Sequence, residues 1–190
     1  MSMLLFLKCL TDASRERILA DPKEISLCFD QSSENTPERD PHFDEPECDL
    51  DKSWDILCFL FCGETFTGGG AGDKSFPSNF LFMGAKGAGT PNEISADDFY
   101  YGPPWIYSSQ KVKEIADFLD TQTAEQLRTK FTPEAIREAE AYPNHGDVCE
   151  DDQSPEWEEE WTWIFGCFTE LKKFVHKTAN RNLALLLYLS

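Results

Sequence analysis

Large apolar side chains recur between residues 154 and 180 at the spacing of one helical face. Successive members of this stripe lie four, three, four, three and four residues apart, which fits the 3.6-residue period of an α-helix. Ser154 is a favourable N-cap, and Pro155 stands at the first helical position, where a missing N–H is harmless. The stripe comprises Trp157, Trp161, Ile164, Phe168, Leu171 and Val175. The pattern predicts a long amphipathic helix whose aromatic face packs on a core.

Both chain ends carry apolar runs without polar alternation. Residues 183–189 are almost wholly apolar, and residues 3–10 repeat the pattern with Lys8 inside it. Such runs are typical of strands that are buried on both faces. The sequence therefore predicts a single-domain α+β fold. We expect a small mixed sheet that includes the N- and C-terminal strands and is covered by several helices, the longest being the C-terminal amphipathic helix.

Helix signals fill the region between the terminal strands. Residues 54–62 are nearly all apolar and predict a central helix, which Gly63 ends. Three consecutive helices are expected between residues 109 and 139, before a turn at Tyr142-Pro143. The predicted N-caps are Thr11 or Asp12, Asp49 or Asp51, Ser108 or Ser109, Thr123 and Thr132.

Two loops interrupt the predicted domain, which spans residues 1–190. An acidic segment at about 31–49 contains three prolines and reads as an insertion, and a glycine-rich segment covers about 64–76. Residues 100–108 have aromatic and β-branched character. The adjacent prolines Pro103 and Pro104 favour an edge strand there over a central one.

The charge balance narrows the classes of partner. Thirty-five acidic and seventeen basic residues give a formal net charge of −18. A chain with this charge repels nucleic acid and anionic lipid, so we expect neither as a partner. A basic protein partner is electrostatically favourable. Aromatic residues make up 13% of the chain, and aromatic side chains that the core does not need could form the interface of a homodimer. The sequence is therefore compatible with both a monomer and a homodimer.

Cysteine use and hydropathy indicate the compartment. Seven cysteines, an odd number, occur without an export signal, which indicates free thiols in a reducing cytoplasm. The apolar start at residues 1–10 lacks a basic lead-in and a cleavage site. No apolar run reaches the roughly 18 residues of a membrane-spanning helix.

The motifs that suggest chemistry are each incomplete. Residues 68–75 resemble a phosphate-binding loop, but Asp73 occupies the place of the final glycine, where a carboxylate would repel phosphate. Cys58 and Cys62 share one helix face, yet no histidine completes a tetrahedral metal site. His145, with Asp147 or Cys149, offers a base for a hydrolase. The sequence indicates no cofactor, no metal site and no identifiable catalytic residue.

A ligand pocket, if one exists, is expected where the Tyr142-Pro143 turn meets the other aromatic residues of the chain. Aromatic walls with a few polar groups are typical of ligand sites. Packing in the core is the competing interpretation of the same residues. The predicted ligand-binding set is Trp54, Trp105, Tyr107, Tyr142 and His145.

Several short stretches of the chain form a familiar combination. They are Asp49–Leu57, Ser108–Val112, Leu127–Phe131, Glu140–Pro143 and the long helix followed by Leu183–Leu189. Together they resemble the YfbM-like bacterial family, domain of unknown function family 1877. The resemblance covers most of the chain apart from the acidic and glycine-rich loops, and it implies a cytosolic single-domain α+β protein. The family supplies no catalytic residue to carry over. The long insertion at 31–47 and the extra glycine near Gly68 depart from its plainer pattern.

These observations favour a non-enzymatic role over an enzymatic one. The first hypothesis is an acidic interaction module that binds a basic protein, in the manner of an immunity protein that neutralises a toxin. The alternative is a small-ligand-binding protein or hydrolase with its site near the Tyr142–His145 turn. A strongly perturbed ionisable group beside that turn would favour the alternative.

Overall fold

A computed structural model describes residues 3–21, 24–25, 39–42, 44–66, 75–81, 104–143 and 154–190. The described residues form four strands and six helices. Their order is β1 (Leu5–Leu10), α1 (Asp12–Ala20), β2 (Cys48–Asp49), α2 (Trp54–Cys62), β3 (Trp105–Tyr107), α3 (Ser109–Thr121), α4 (Ala124–Lys130), α5 (Pro133–Glu138), α6 (Pro155–Asn180) and β4 (Ala184–Leu189).

The two terminal strands form the centre of a four-stranded sheet with the order β2-β1-β4-β3. β1 pairs with β4 along its whole length, from Leu5 opposite Leu189 to Leu10 opposite Ala184. This confirms the predicted pairing of the chain ends in one sheet. The sheet was expected to be mixed, but all three pairings among the described strands are antiparallel. An apolar pattern reports which residues are buried and carries no information on strand direction.

Each face of the sheet has its own hydrophobic layer. Leu7, Leu185 and Leu187 pack in the main core with residues of α2, α3 and α6. On the opposite face Leu186 lies in a smaller cluster that includes Ile18 of α1. Helices therefore pack on both faces of β4, as predicted, with only Tyr188 half-buried in that strand. In β1 the prediction holds for one face, whereas Phe6 and Lys8 on the face of the smaller cluster are half-buried. In the described part of the chain, no helix has the length and apolarity that crossing a membrane requires.

Helix α6 buries its aromatic face as the spacing predicted. Trp157 is 1% exposed, and its ring stacks on Phe131 with the centroids 4.3 Å apart. Trp161 is half-buried and lies 5.6 Å from Phe131. At the other end of the helix, Lys172 donates to the Leu119 carbonyl at 3.1 Å and so joins α6 to the end of α3.

The helix ends follow the predicted caps with one exception. The Ser154 hydroxyl accepts from the Trp157 N–H at 3.1 Å, and Thr123 forms a complete capping box. For α2 the N-cap is Ser53, so neither predicted acid caps this helix. The Asp49 carboxylate instead accepts from the Asp51 N–H at 2.7 Å, which shapes the turn before α2.

Part of the predicted acidic loop belongs to the folded unit. Cys48 and Asp49, at its end, form the edge strand β2. Asp40 is buried and accepts hydrogen bonds from the Thr11 N–H at 2.7 Å and the His42 N–H at 2.8 Å. These contacts fasten the segment beside the start of α1. Residues 31–38 and 43 of the predicted loop lie outside the described part of the chain.

We expect Trp157→Ala to lower the free energy of unfolding by roughly 3–5 kcal/mol, because the buried indole leaves a cavity against Phe131. Gly166→Ala on the same helix is the matched control. Nothing lies within 4 Å of a Cβ added at Gly166, so alanine there should raise stability by roughly 0.5–1 kcal/mol. Urea denaturation measures both. Equal small effects of the two substitutions would contradict the packing of α6.

Candidate functional site

The Tyr142 turn brings two of the five predicted ligand-binding residues together. The rings of Trp54 and Tyr142 are 6.3 Å apart and tilted by 36°. Both side chains bind the backbone of Met3, just before β1: the Met3 N–H donates to the Tyr142 hydroxyl at 3.0 Å, and the Trp54 Nε1–H donates to the Met3 carbonyl at 3.2 Å. The aromatic pair therefore holds the entry of the first strand.

Beneath this pair lies a buried carboxylate, that of Asp55. Its Oδ2 accepts from the Tyr142 N–H at 2.8 Å, and its Oδ1 accepts from the Phe66 N–H at 2.6 Å. Burial raises the pKa of Asp55 to about 6, and the two backbone N–H groups oppose that rise. Asp55 thus joins the segment after α2 to the turn after α5, and its carboxyl can hold a proton in mildly acidic solution.

Phe66 adds an exposed aromatic surface beside the turn. It is 40% exposed and meets Trp54 edge-on, with the ring centroids 5.6 Å apart. The preceding Thr65 is buried, and its hydroxyl donates to the Ala139 carbonyl at 2.7 Å. Residues 64–66, at the start of the predicted glycine-rich loop, are therefore held beside the Tyr142 turn.

The other predicted ligand-binding residues lie elsewhere or outside the described residues. Trp105 and Tyr107 belong to β3, which β4 separates from β1. The Tyr107 hydroxyl is buried and donates to the Phe80 carbonyl at 2.7 Å, so it serves the core. His145, with its proposed partners Asp147 and Cys149, is outside the described residues. The structure thus joins Trp54 to Tyr142 and places the β3 pair on another strand.

A concave surface lies between β2 and α6. We call it the β2–α6 groove; it has a volume of about 350 Å³. Its lining residues are Glu47, Cys48, Asp49, Glu170, Lys173, Phe174 and Lys177. This groove was not predicted, because residues up to 49 were assigned to a loop. The signal was present in the alternation of acidic and apolar residues from Glu47 to Asp51, which is a strand pattern.

Ion pairs at one end of the groove hold the acidic segment against the end of α6. Arg181 donates to both oxygens of Glu45, at 2.5 and 2.6 Å, and His42 Nδ1 lies 2.8 Å from Glu45 Oε1. The hydrogen bonds from Arg181 and His42 lower the pKa of Glu45 to about 2. The bidentate pair thus orders the chain that leads into β2.

Metal and thiol chemistry find little support in this arrangement. The sulfur atoms of Cys58 and Cys62 are 3.7 Å apart, and both side chains are buried among apolar residues. The hydrogen bond that Cys58 shares with Cys62, together with burial, raises the pKa of Cys58, which makes its thiol unreactive. In the described ranges, no three His, Cys, Asp or Glu side chains are grouped to hold a metal ion.

The family model of the domain of unknown function DUF1877 matches residues 1–188 of this chain. The chain belongs to this family. A likeness to one solved structure agrees with that assignment: the crystal structure of YfbM from Escherichia coli, described as a protein of unknown function, aligns with a TM-score of 0.65 at 16% sequence identity. The alignment covers 98% of this chain and 99% of YfbM. At this identity the likeness shows the shared fold alone. No curated protein matches the chain.

For this member of the DUF1877 family, the Asp55 carboxyl makes stability depend on pH. The unfolded chain loses the Asp55 proton near its ordinary pKa of 3.8, and the folded chain keeps it to about 6. The free energy of unfolding of the wild type, measured relative to that of the Asp55→Asn variant, is therefore highest below pH 4. This advantage falls by about 3 kcal/mol as the pH rises through 6.

Urea denaturation of the wild type and Asp55→Asn at pH 4, 5, 6 and 7 measures this difference. Because both proteins share every other titrating group, the comparison isolates Asp55. A difference in unfolding free energy that stays constant from pH 4 to pH 7 would contradict the raised pKa.

Proposed function

We propose that this DUF1877 protein is a non-enzymatic cytoplasmic interaction module whose acidic surface binds a basic protein, in the manner of an immunity protein that neutralises a toxin. The observation that carries the proposal is the net charge of −18. Fields of this size attract basic partners and accelerate their association. Nucleic acid and anionic membranes, which the same field repels, are not proposed as partners.

Internal ion pairs leave the acidic excess in place. Several described cations already face a carboxylate: Arg128 lies 2.5 Å from Glu158, and Lys172 lies 2.9 Å from Asp120. Each such pair is neutral, so the remaining acids carry the net charge. Further exposed acidic residues in the described ranges include Asp49, Asp117, Glu125, Glu134, Glu138, Glu156 and Glu159. A partner that presents lysine and arginine would relieve their mutual repulsion.

The cysteines support a reducing compartment. Five cysteines in the described ranges form no disulfide, and four of them are buried. Buried thiols of this kind act as small apolar side chains. The proposal therefore places the protein in the cytoplasm. It is compatible with either a monomer or a homodimer.

A second candidate is a ligand-binding or hydrolytic site at the Tyr142 turn, with Trp54, Tyr142 and His145 as its core and Trp105 and Tyr107 as further members. The observation that favours it is the Asp55 carboxyl beside Tyr142, whose pKa burial raises to about 6. Against it, both carboxylate oxygens already accept backbone N–H groups and the side chain is fully buried. An acid held in this way serves the structure first.

Immobilised protein incubated with lysate of the organism that encodes it should retain a protein of high isoelectric point. For that purified partner, we expect the association rate constant to fall at least tenfold between about 20 and 500 mM NaCl, because salt screens the attraction. Surface plasmon resonance measures the rate. Retention of no basic protein, or a rate constant independent of salt, would reject the interaction proposal.

His145→Ala is the variant that separates the two candidates. An interaction module that binds through its acidic surface keeps its partner affinity within twofold when this side chain, which carries no carboxylate, is removed. A functional site at the turn instead loses ligand binding or hydrolysis with the same substitution. Circular dichroism confirms that the variant is folded before either comparison.

A further inference from the structure

The strand β2 presents backbone hydrogen-bonding groups away from the sheet. It is an edge strand in the order β2-β1-β4-β3. The Leu50 N–H donates to the Leu5 carbonyl at 2.9 Å, and Asp49 stands opposite Phe6. Because hydrogen-bonded and non-hydrogen-bonded pairs alternate in an antiparallel ladder, the N–H and C=O of Asp49 point away from β1. The same alternation turns the backbone groups of Glu47 outward.

The β2–α6 groove lies directly beside these outward groups. Glu47 and Asp49 line it from the strand, and Phe174 lines it from the helix. Glu47 and Asp49 are exposed, and Phe174 is half-buried. The place therefore combines an open strand edge, an apolar surface and room of about 350 Å³. Addition of a strand from a partner is a known use of such an edge.

The charges of the edge specify what it can accept. Acidic side chains stand at alternate positions, Glu47, Asp49 and Asp51, with buried residues between them. The two lysines of the groove are already engaged: Lys173 lies 2.7 Å from Glu170, and Lys177 lies 3.5 Å from Glu45. Glu47 lies 3.5 Å from Lys8, so part of its charge is already compensated and Asp49 contributes most to the charge of the edge. An incoming strand thus meets carboxylates that favour lysine or arginine at its alternate positions.

We propose that β2 accepts an extended basic segment of a partner protein as a fifth strand, with an apolar side chain of that segment lying against Phe174. The inference rests on the proposed function and names where and how the basic partner binds. A second copy of this chain is excluded as the occupant. Antiparallel pairing of two β2 strands would bring Glu47 and Asp49 against the same acids of the other copy, and like charges opposite each other destabilise a ladder.

The probe is a blocked heptapeptide of alternating lysine and valine, titrated into the 15N-labelled full chain. We expect amide shifts concentrated at Glu47, Asp49 and Phe174. The control peptide has the same sequence with methyl groups on alternate backbone nitrogens, which removes the N–H donors and keeps every charge. Strand addition requires those donors, so the control should bind at least tenfold more weakly. Equal binding of the two peptides would overturn the inference, because attraction between charges alone would then explain it.

Two variants of the strand edge provide an independent test. Asp49→Pro removes the outward N–H, which the pairing with β1 does not use, and proline is tolerated at such an edge position. Asp49→Asn removes the same charge and keeps the N–H. Asp49→Ala also keeps the N–H but, like proline, loses the side-chain contact with the Asp51 N–H. We expect proline to weaken the lysine–valine peptide at least tenfold beyond the effect of asparagine or alanine. Equal weakening would overturn the inference; if Asp49→Pro fails to fold, the two-peptide comparison on the wild type decides.

The natural partner separates this inference from the proposed function. A captured basic protein that binds Asp49→Pro as tightly as Asp49→Asn would overturn the strand-edge inference and leave the interaction module standing. A wild-type protein that takes up the lysine–valine peptide at β2 but retains no basic protein would support the edge and reject the proposed function.

Discussion

The strand β4 imposes the constraint on which the rest of the structure depends. It lies between β1 and β3, and Leu185, Leu186 and Leu187 are all buried. A strand with partners on both sides and apolar residues on both faces can exist only if each face is covered. Helices α2, α3 and α6 pack on the face that carries Leu185 and Leu187. Helix α1 packs on the opposite face, which carries Leu186. The placement of six elements thus follows from one apolar run of seven residues, 183–189.

The same constraint places the distinctive surfaces at the periphery. Because the two chain ends occupy the centre of the sheet, β2 and β3 become its edges. Leu4 and Ser190 exchange two backbone hydrogen bonds of 3.0 Å, so the ends of the chain continue the central pairing. The Tyr142 turn anchors Met3 next to that pairing, and the Glu45–Arg181 ion pair anchors the acidic segment at the joint between α6 and β4. The candidate surfaces are therefore attached to the most constrained part of the fold.

The sequence predicted those features whose determining residues lie close together in the chain, and it missed features that depend on distant residues. Helix α6 was predicted with its N-cap and buried face because both follow from residues within a few positions of each other. The edge strand β2 was not predicted, because its short alternation lies inside an acidic, proline-containing segment and is stabilised as a strand by pairing with β1, more than 40 residues earlier. Asp55 was missed for a similar reason: its backbone partner Tyr142 is 87 residues away in the chain.

The candidate site divides along the same line. Aromatic residues at the Tyr142 turn were predicted to meet, and Trp54 and Tyr142 do. Trp105 and Tyr107 were grouped with them by residue type alone, which says nothing about their position on the edge strand β3. Residue type and spacing can identify which residues become buried, but the topology of the fold determines which residues they contact.

Amide hydrogen exchange at Leu185, Leu186 and Leu187, measured by NMR in the intact chain, tests the central role of β4 most directly. If β4 is the constraint on which the layers depend, these amides exchange only through global unfolding, with an opening free energy equal to the value from urea denaturation. An opening free energy clearly below that of the α3 amides would show that the strand detaches while the helices stay folded, and would contradict the account.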